Sequence, residues 1–226
     1  MTTRIKSPIM SSNKIEPLLA ATSNPGKLRE IQNFLQSLPC HVVGLEQLPD
    51  VPRCQEDGDS FEANARQKAL YYSQFSEWLT LADDSGLEVD ALEGLPGVHS
   101  ARFVSESASD EDRYKEILRR MIEVPNSRRT ARFVCFLVLA RQREVLAVFN
   151  GVLKGCITRE PRGSHGFGYD PIFCVPGLDR TVAELSNEEK QEISHRGQAL
   201  RAMVGYLRKS LQASLNVPEF VKRTNK

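Results

Sequence analysis

Hydrophobic order begins at Leu18, Leu19, Ala20 and Ala21, a short apolar run that meets Ser23-Asn24-Pro25-Gly26. Such a run entering a turn predicts a buried strand. Over residues 27–38, Leu28, Ile31, Leu35 and Leu38 recur at helical spacing. The chain therefore opens as strand, turn and helix, and residues 41–45 offer a second strand. Asp59 or Ser60 is placed to cap a helix running to about Ser73. Residues 79–82 are apolar and meet Asp83-Asp84-Ser85-Gly86, a carboxylate pair that follows a strand and precedes a glycine turn, after which Leu87, Val89 and Ala91 alternate as in a strand.

Residues 109–123 predict a capped amphipathic helix with Ile117, Leu118, Met121 and Ile122 on its stripe. Residues 133–140 and 145–153 are β runs that Arg141-Gln142-Arg143-Glu144 joins into an antiparallel hairpin. A glycine-rich segment covers 163–170. The last long element, 187–211, predicts one helix with Ile193, Leu200, Val204, Leu207 and Leu211 on one side. Early strand–helix alternation followed by a hairpin argues for an α/β fold with a mixed sheet. We read 1–16 as a flexible extension, 17–211 as one domain and 212–226 as a frayed tail.

The formal net charge of +1 removes the electrostatic driver of general nucleic-acid binding. No stretch approaches the ~20 apolar residues of a membrane span. Cys40, Cys54, Cys135, Cys156 and Cys174 contain no C-x-x-C pair and read as reduced thiols of a cytoplasmic protein.

Four segments carry candidate chemistry. In Thr22-Ser23-Asn24-Pro25-Gly26-Lys27, a turn into a helix offers free N–H groups, the positive end of the helix dipole and the Lys27 charge, all suited to phosphate. Without flanking evidence the segment equally fits an ordinary strand–turn–helix link. Asp83 and Asp84 are adjacent carboxylates whose repulsion a hard divalent cation would relieve. Gly163-Ser164-His165-Gly166-Phe167-Gly168-Tyr169-Asp170 combines backbone freedom with an aromatic face for a base and a further carboxylate. Lys190, His195 and Arg196 place cations and donors near one helix beginning. On one unbroken helix Lys190 and His195 would lie ~140° apart, so sharing a site requires a helix start between them or a ligand across its end.

Together these segments resemble the non-standard purine nucleoside triphosphate pyrophosphatases, the inosine/xanthosine triphosphatases. The matching stretches are ATSNPGKLREI, EDGDSFEANARQKA, LADDSGLEVDALEGLPGVHSARF, ITREPRGSHGFGYDPIF and AELSNEEKQEISHRGQAL. The resemblance implies an elongated, two-lobed α/β fold with a mixed central sheet and an active-site cleft between the lobes. It implies Mg²⁺-dependent hydrolysis of ITP, dITP or XTP to the monophosphate and pyrophosphate, usually by a homodimer. It places the nucleotide loop on Thr22, Ser23, Asn24, Pro25, Gly26 and Lys27, with Ser85 as an adjacent contact. Asp84 becomes proton acceptor and metal ligand, joined at the metal by Glu56 or Asp83. Base and further substrate contacts fall on Phe167, Gly168, Tyr169, Asp170, Lys190, His195 and Arg196. Lys27, Lys190 and Arg196 are expected to neutralise the triphosphate.

Gln55 and Ala63 stand where many relatives carry acidic residues, leaving the metal ligands upstream of Asp83 open. Two other readings remain alongside: a pyrophosphatase for modified pyrimidine nucleotides, and a nucleotide sensor without turnover.

Overall fold

A computed structural model describes residues 10–11, 14–15, 17–36 and 40–215. Most of the expected extension, Leu38 and most of the expected tail lie outside the described residues. Two short strands, β1 (Met10–Ser11) and β2 (Lys14–Ile15), pair with each other antiparallel.

The remaining strands form one seven-stranded mixed sheet. They are β3 (Leu18–Ala21), β4 (Val42–Val43), β5 (Leu79–Val89), β6 (Thr130–Arg141), β7 (Glu144–Ile157), β8 (Phe173–Val175) and β9 (Arg180–Thr181). Their spatial order is β4-β3-β5-β6-β7-β8-β9. β4, β3 and β5 run parallel, and every later pairing is antiparallel. The mixed α/β architecture expected from the sequence is the one observed.

The helices follow their capping chemistry. α1 (Pro25–Leu35) starts with Pro25 at its first position, and the Asn24 side chain accepts from the N–H groups of Gly26 and Lys27. α2 (Phe61–Tyr72) is capped by Ser60, as expected. α3 (Asp110–Arg120) begins with a reciprocal Ser109–Asp112 capping box. It stops before Ile122, whose side chain is 68% exposed rather than on the buried stripe.

The expected single helix over 187–211 is instead two, α4 (Asn187–Ile193) and α5 (His195–Leu215). Ser194 is extended (φ −66°, ψ 153°), and its hydroxyl caps the second helix by accepting from Gly197 N–H at 3.0 Å. An apolar stripe runs on both sides of the break, which is why periodicity alone joined them.

The sheet is covered on both faces. α1 and α5 pack over Leu79, Leu81, Leu137 and Leu139, and α2 covers Ala82, Val138 and Ala140 on the other side. Beyond the middle of β5 a second core gathers Leu87, Val89, Phe133, Leu153 and Phe173 with Ile117 and Met121. The centre of β5 therefore lies between two packed regions. No helix among the described residues is long and apolar enough to cross a membrane.

Candidate active site

β3 pairs with β5 only as far as Ala21↔Ala82, while β5 continues to Val89 against β6, its other edge being met again only by an isolated bridge at Glu88↔Pro96. Between residue 83 and that bridge one edge of a central strand thus has no strand partner, at the carboxyl end of β3. Open α/β sheets bind ligands in such crevices.

Asp83-Asp84-Ser85-Gly86 is the interior of this strand, which runs on through Gly86 in place of the expected glycine turn. Gly86 is required there because an added Cβ would drive into Ser100, whose hydroxyl accepts from Leu87 N–H at 2.9 Å. Strand alternation then sends the two neighbouring carboxylates to opposite faces. Asp83 points with Leu79 and Leu81 toward α1 and α5, and Asp84 points with Ala82 toward α2.

Asp83 is fully paired. Its Oδ1 meets Lys27 Nζ at 2.6 Å, its Oδ2 meets Arg196 Nε at 2.7 Å, and Ser85 Oγ donates at 2.9 Å. Burial pushes the carboxyl up, but Arg196 and Lys27 outweigh it and hold the pKa well below the usual carboxylate range. Of the two partners expected for Asp84 at a metal, Glu56 or Asp83, Asp83 diverges from Asp84 and carries a cation on each oxygen.

Asp84 is placed differently. Lys68 Nζ, from α2, lies 3.1 Å from its Oδ1, 2.8 Å from Glu56 Oε2 and 3.0 Å from the Asp83 carbonyl. Asp84 Oδ2 is buried without a hydrogen-bond partner. Burial raises the Asp84 pKa, Lys68 and Lys27 offset that only in part, and the Glu56 charge adds to the rise. Around Asp84 a cavity brings four cations, Lys27, Arg53, Lys68 and Arg102, together with the carboxylates of Glu56, Asp84 and Glu106.

A second cavity adjoins it and shares Asn24, Lys27 and Ser85. Phe167, Gly168, Tyr169, Asp170, Lys190, His195 and Arg196 line it, with Asp110 and Arg113 from α3. The Phe167 ring lies so close to Gly26 that a Cβ there would come within 2.6 Å of it, so the first and third motifs touch. Lys190 Nζ stands 4.8 Å from that ring centre, and the Arg196 guanidinium 5.7 Å.

Lys190 and Arg196 belong to one chain of alternating charges. Lys190 bridges Asp170 (2.6 Å) and Glu30 (2.7 Å), Glu30 also pairs with Arg196, and Arg196 returns to Asp83. Burial acts against the Glu30 charge, yet Arg196 and Lys190 bring its pKa down to about 2. Asp170 Oδ2 also accepts from Phe167 N–H at 2.9 Å and so fixes the aromatic loop.

His195 stacks on Phe133 with ring centres 4.9 Å apart, and its Nδ1 has no partner. Burial, then the Arg196 charge, push its pKa down to about 3, so the ring is neutral near pH 7. The break at Ser194 is what lets Lys190 and His195 face one cavity.

A model of the Ham1 family matches residues 18–206, nearly the whole of the described sheet and its helices. The chain belongs to the Ham1 family. A dITP/XTP pyrophosphatase of an Exiguobacterium species is 47% identical over 186 residues, covering 82% of this chain and 94% of the relative. The dITP/XTP pyrophosphatase of Symbiobacterium thermophilum is 51% identical over 185 residues, covering 81% and 90%. Among solved structures, a Ham1 protein from Coxiella burnetii superposes with a TM-score of 0.78 at 39% identity, covering 87% of this chain and all of that one. The Staphylococcus aureus Ham1 protein gives 0.75 at 37% identity, covering 86% and 98%.

Within this Ham1 chain the structure gathers Thr22, Ser23, Asn24, Lys27, Glu56, Asp84 and Ser85 at the first cavity. Of the three cations expected at the triphosphate, Lys27 lines both cavities, while Lys190 and Arg196 line the second and not the first; around Asp84 the further cations are Arg53, Lys68 and Arg102. Sequence reading missed Lys68 and Glu30. Lys68 had a legible signal: Phe61, Ala65, Lys68 and Tyr72 recur at helical spacing on the buried side of α2. A lysine on a core-facing stripe needs a buried partner.

Proposed function

We propose that this chain hydrolyses the α–β phosphoanhydride bond of 6-oxopurine nucleoside triphosphates, dITP, XTP and ITP, releasing the monophosphate and pyrophosphate. The observation that carries the reading is the pair of joined cavities. One has a buried carboxylate oxygen without a partner in a wall that carries four cations, and the other has an aromatic face beside a neutral histidine.

The cavity around Asp84 suits the phosphates. Lys27 at the start of α1, Arg53, Lys68 and Arg102 offset their charge. Asp84 Oδ2 accepts a proton from the attacking water, whose oxygen bonds to phosphorus as the bond to the bridging oxygen breaks and pyrophosphate departs. Lys68 holds the other Asp84 oxygen and so fixes the carboxyl for that transfer.

Glu56 and Asp84 are the residues that would hold Mg²⁺. Among the described residues no cluster of three or more His, Cys, Asp or Glu is arranged for a metal. Two carboxylates suit Mg²⁺, which takes one or two from a protein and completes its shell with substrate phosphates and water. When bound, the ion supplies positive charge against the phosphate oxygens.

The base stacks at Phe167. A donor from the neutral His195 ring, or from a backbone N–H at the start of α5, favours a 6-oxo group over the 6-amino group of adenine; sites built on such bonds discriminate by ~10⁴ or more. A homodimer in the cytoplasm completes the proposal. The test is product identification from ITP, dITP, XTP, GTP, ATP and a methylated pyrimidine triphosphate, with Mg²⁺ and with EDTA. Monophosphate and pyrophosphate from the first three, lost in EDTA, are expected. Equal rates on ATP, or no turnover at all, would refute it.

A further inference from the structure

Cys156 and Cys174 are direct cross-strand partners on β7 and β8. Directly opposed residues in an antiparallel pair share one face, with Cα atoms about 4.5–5.5 Å apart. That spacing falls within the roughly 4.4–6.8 Å of disulfide-bonded cysteines. Burial and, after it, the neighbouring Cys156 raise the Cys174 thiol. Among the described residues no other two cysteines are strand partners.

Both thiols line one open cavity with Arg159 and Arg162, remote from the joined cavities around Asp84. Cys156 is half-buried and Cys174 buried, so a reagent meets Cys156 first. Arg162 Nη2 lies 3.9 Å from Cys174 Sγ, where its charge favours a thiolate. The pair also has a strategic place. β7 and β8 are joined by only two residue pairs, Cys156↔Cys174 and Ile157↔Phe173, and the segment between them contains the whole loop that carries Phe167.

We propose that Cys156 and Cys174 form a redox modification site, oxidised by small-molecule disulfides to a cross-strand bond that closes the neck of the Phe167 loop. In the first step the Cys156 thiolate attacks one sulfur of the small disulfide, forming a mixed disulfide and expelling a thiolate. In the second step the Cys174 thiolate attacks Cys156 Sγ and expels the other thiolate. Two protein thiols are oxidised, one small disulfide is reduced to two thiols, and the two protein protons pass to the leaving thiolates.

The experiment incubates the whole protein with oxidised glutathione, then counts thiols in denaturant and maps peptides. Titratable thiols should fall from five to three, with one linked peptide pair joining 156 to 174, and dithiothreitol should restore all five. Cys156→Ser should form no internal bond. The oxidised protein should melt roughly 5 °C or more above the reduced one, because the bond closes a loop in the unfolded chain. Five persistent thiols, a link through another cysteine, or a link in Cys156→Ser would overturn the proposal. So would an oxidised protein whose Tm is unchanged or lower, since the strands would then not be preset for the bond.

Discussion

Lys68 holds Asp84 by one oxygen, at 3.1 Å, and leaves the other buried and without a partner. The same ammonium lies 2.8 Å from Glu56, so one α2 side chain pairs with both carboxylates of the proposed metal site. Lys68 is itself buried, and its pKa is raised because Asp84 and Glu56 outweigh the desolvation that would lower it. Lys68→Met removes that cation and leaves buried Asp84 and half-buried Glu56 without their shared counter-charge. Breaking a buried pair costs about 3–5 kcal/mol. We expect a loss of that order in urea unfolding without divalent ions, partly recovered by millimolar Mg²⁺. We also expect kcat to fall about 100-fold, because the Asp84 carboxyl loses its anchor. A metal-free variant as stable as the parent would show that Lys68 is not a structural counter-charge.

Asp83 and Asp84 should separate cleanly by mutation, although they are neighbours. Asp83 is held ionised between Lys27 and Arg196, so Asp83→Asn leaves buried cations short of charge and should cost about 3 kcal/mol. Asp84 carries a raised pKa, so its charge is unfavourable to the fold, and Asp84→Asn should leave stability unchanged or slightly higher. Its turnover should fall 10²–10⁴-fold, the usual loss of a general base. Thermal melts and pyrophosphate release on the two variants decide this. A destabilised Asp84→Asn with near-parental kcat would reverse the two roles.

The contrast marks where sequence reading worked and where it failed. Ser60 and Ser109 announce helix starts through local chemistry, and residues 133–153 announce a hairpin through a two-residue connection, so these elements were legible. Asp83-Asp84-Ser85-Gly86 has the composition of a turn. It is a strand because Lys27, Arg196 and Ser100, distant along the chain, neutralise Asp83 and demand Gly86. No local pattern encodes those partners. Ser194 hid for the opposite reason, since its break falls inside a continuous apolar stripe. Of the site, the motifs were visible; which oxygen faces which cation was set by strand alternation.

Phe167 provides a test of the aromatic wall. It lies against Gly26 and beneath the Lys190 and Arg196 cations, so its ring is positioned before any ligand arrives. Stacking of a base on an aromatic side chain is worth about 1–3 kcal/mol. Phe167→Ala should therefore lower kcat/KM for XTP by about 10-fold or more, mainly through KM. A variant with unchanged KM would place the base elsewhere.

His195 should leave its mark on stability in mild acid. Its folded pKa is near 3 against an ordinary value of 6.5, because burial and Arg196 disfavour the charged ring. Between those values the unfolded chain binds a proton that the folded one refuses. Stability due to the neutral ring is thus complete above about pH 6.5 and is lost as pH falls toward 3. By about pH 5 the loss amounts to about 1.5 pKa units, or about 2 kcal/mol. Glu30 contributes little there, since its own window runs from 4.5 down to about 2, and Asp170, whose pKa is raised, acts with the opposite sign in parent and variant alike. Urea unfolding of the parent and of His195→Gln at about pH 7.5 and pH 5 isolates the histidine. The variant should lose about 2 kcal/mol less than the parent between the two; equal losses would mean that the imidazole takes its proton inside the fold, and a cation there would ill suit a site that must tell an oxo group from an amino group by a neutral donor.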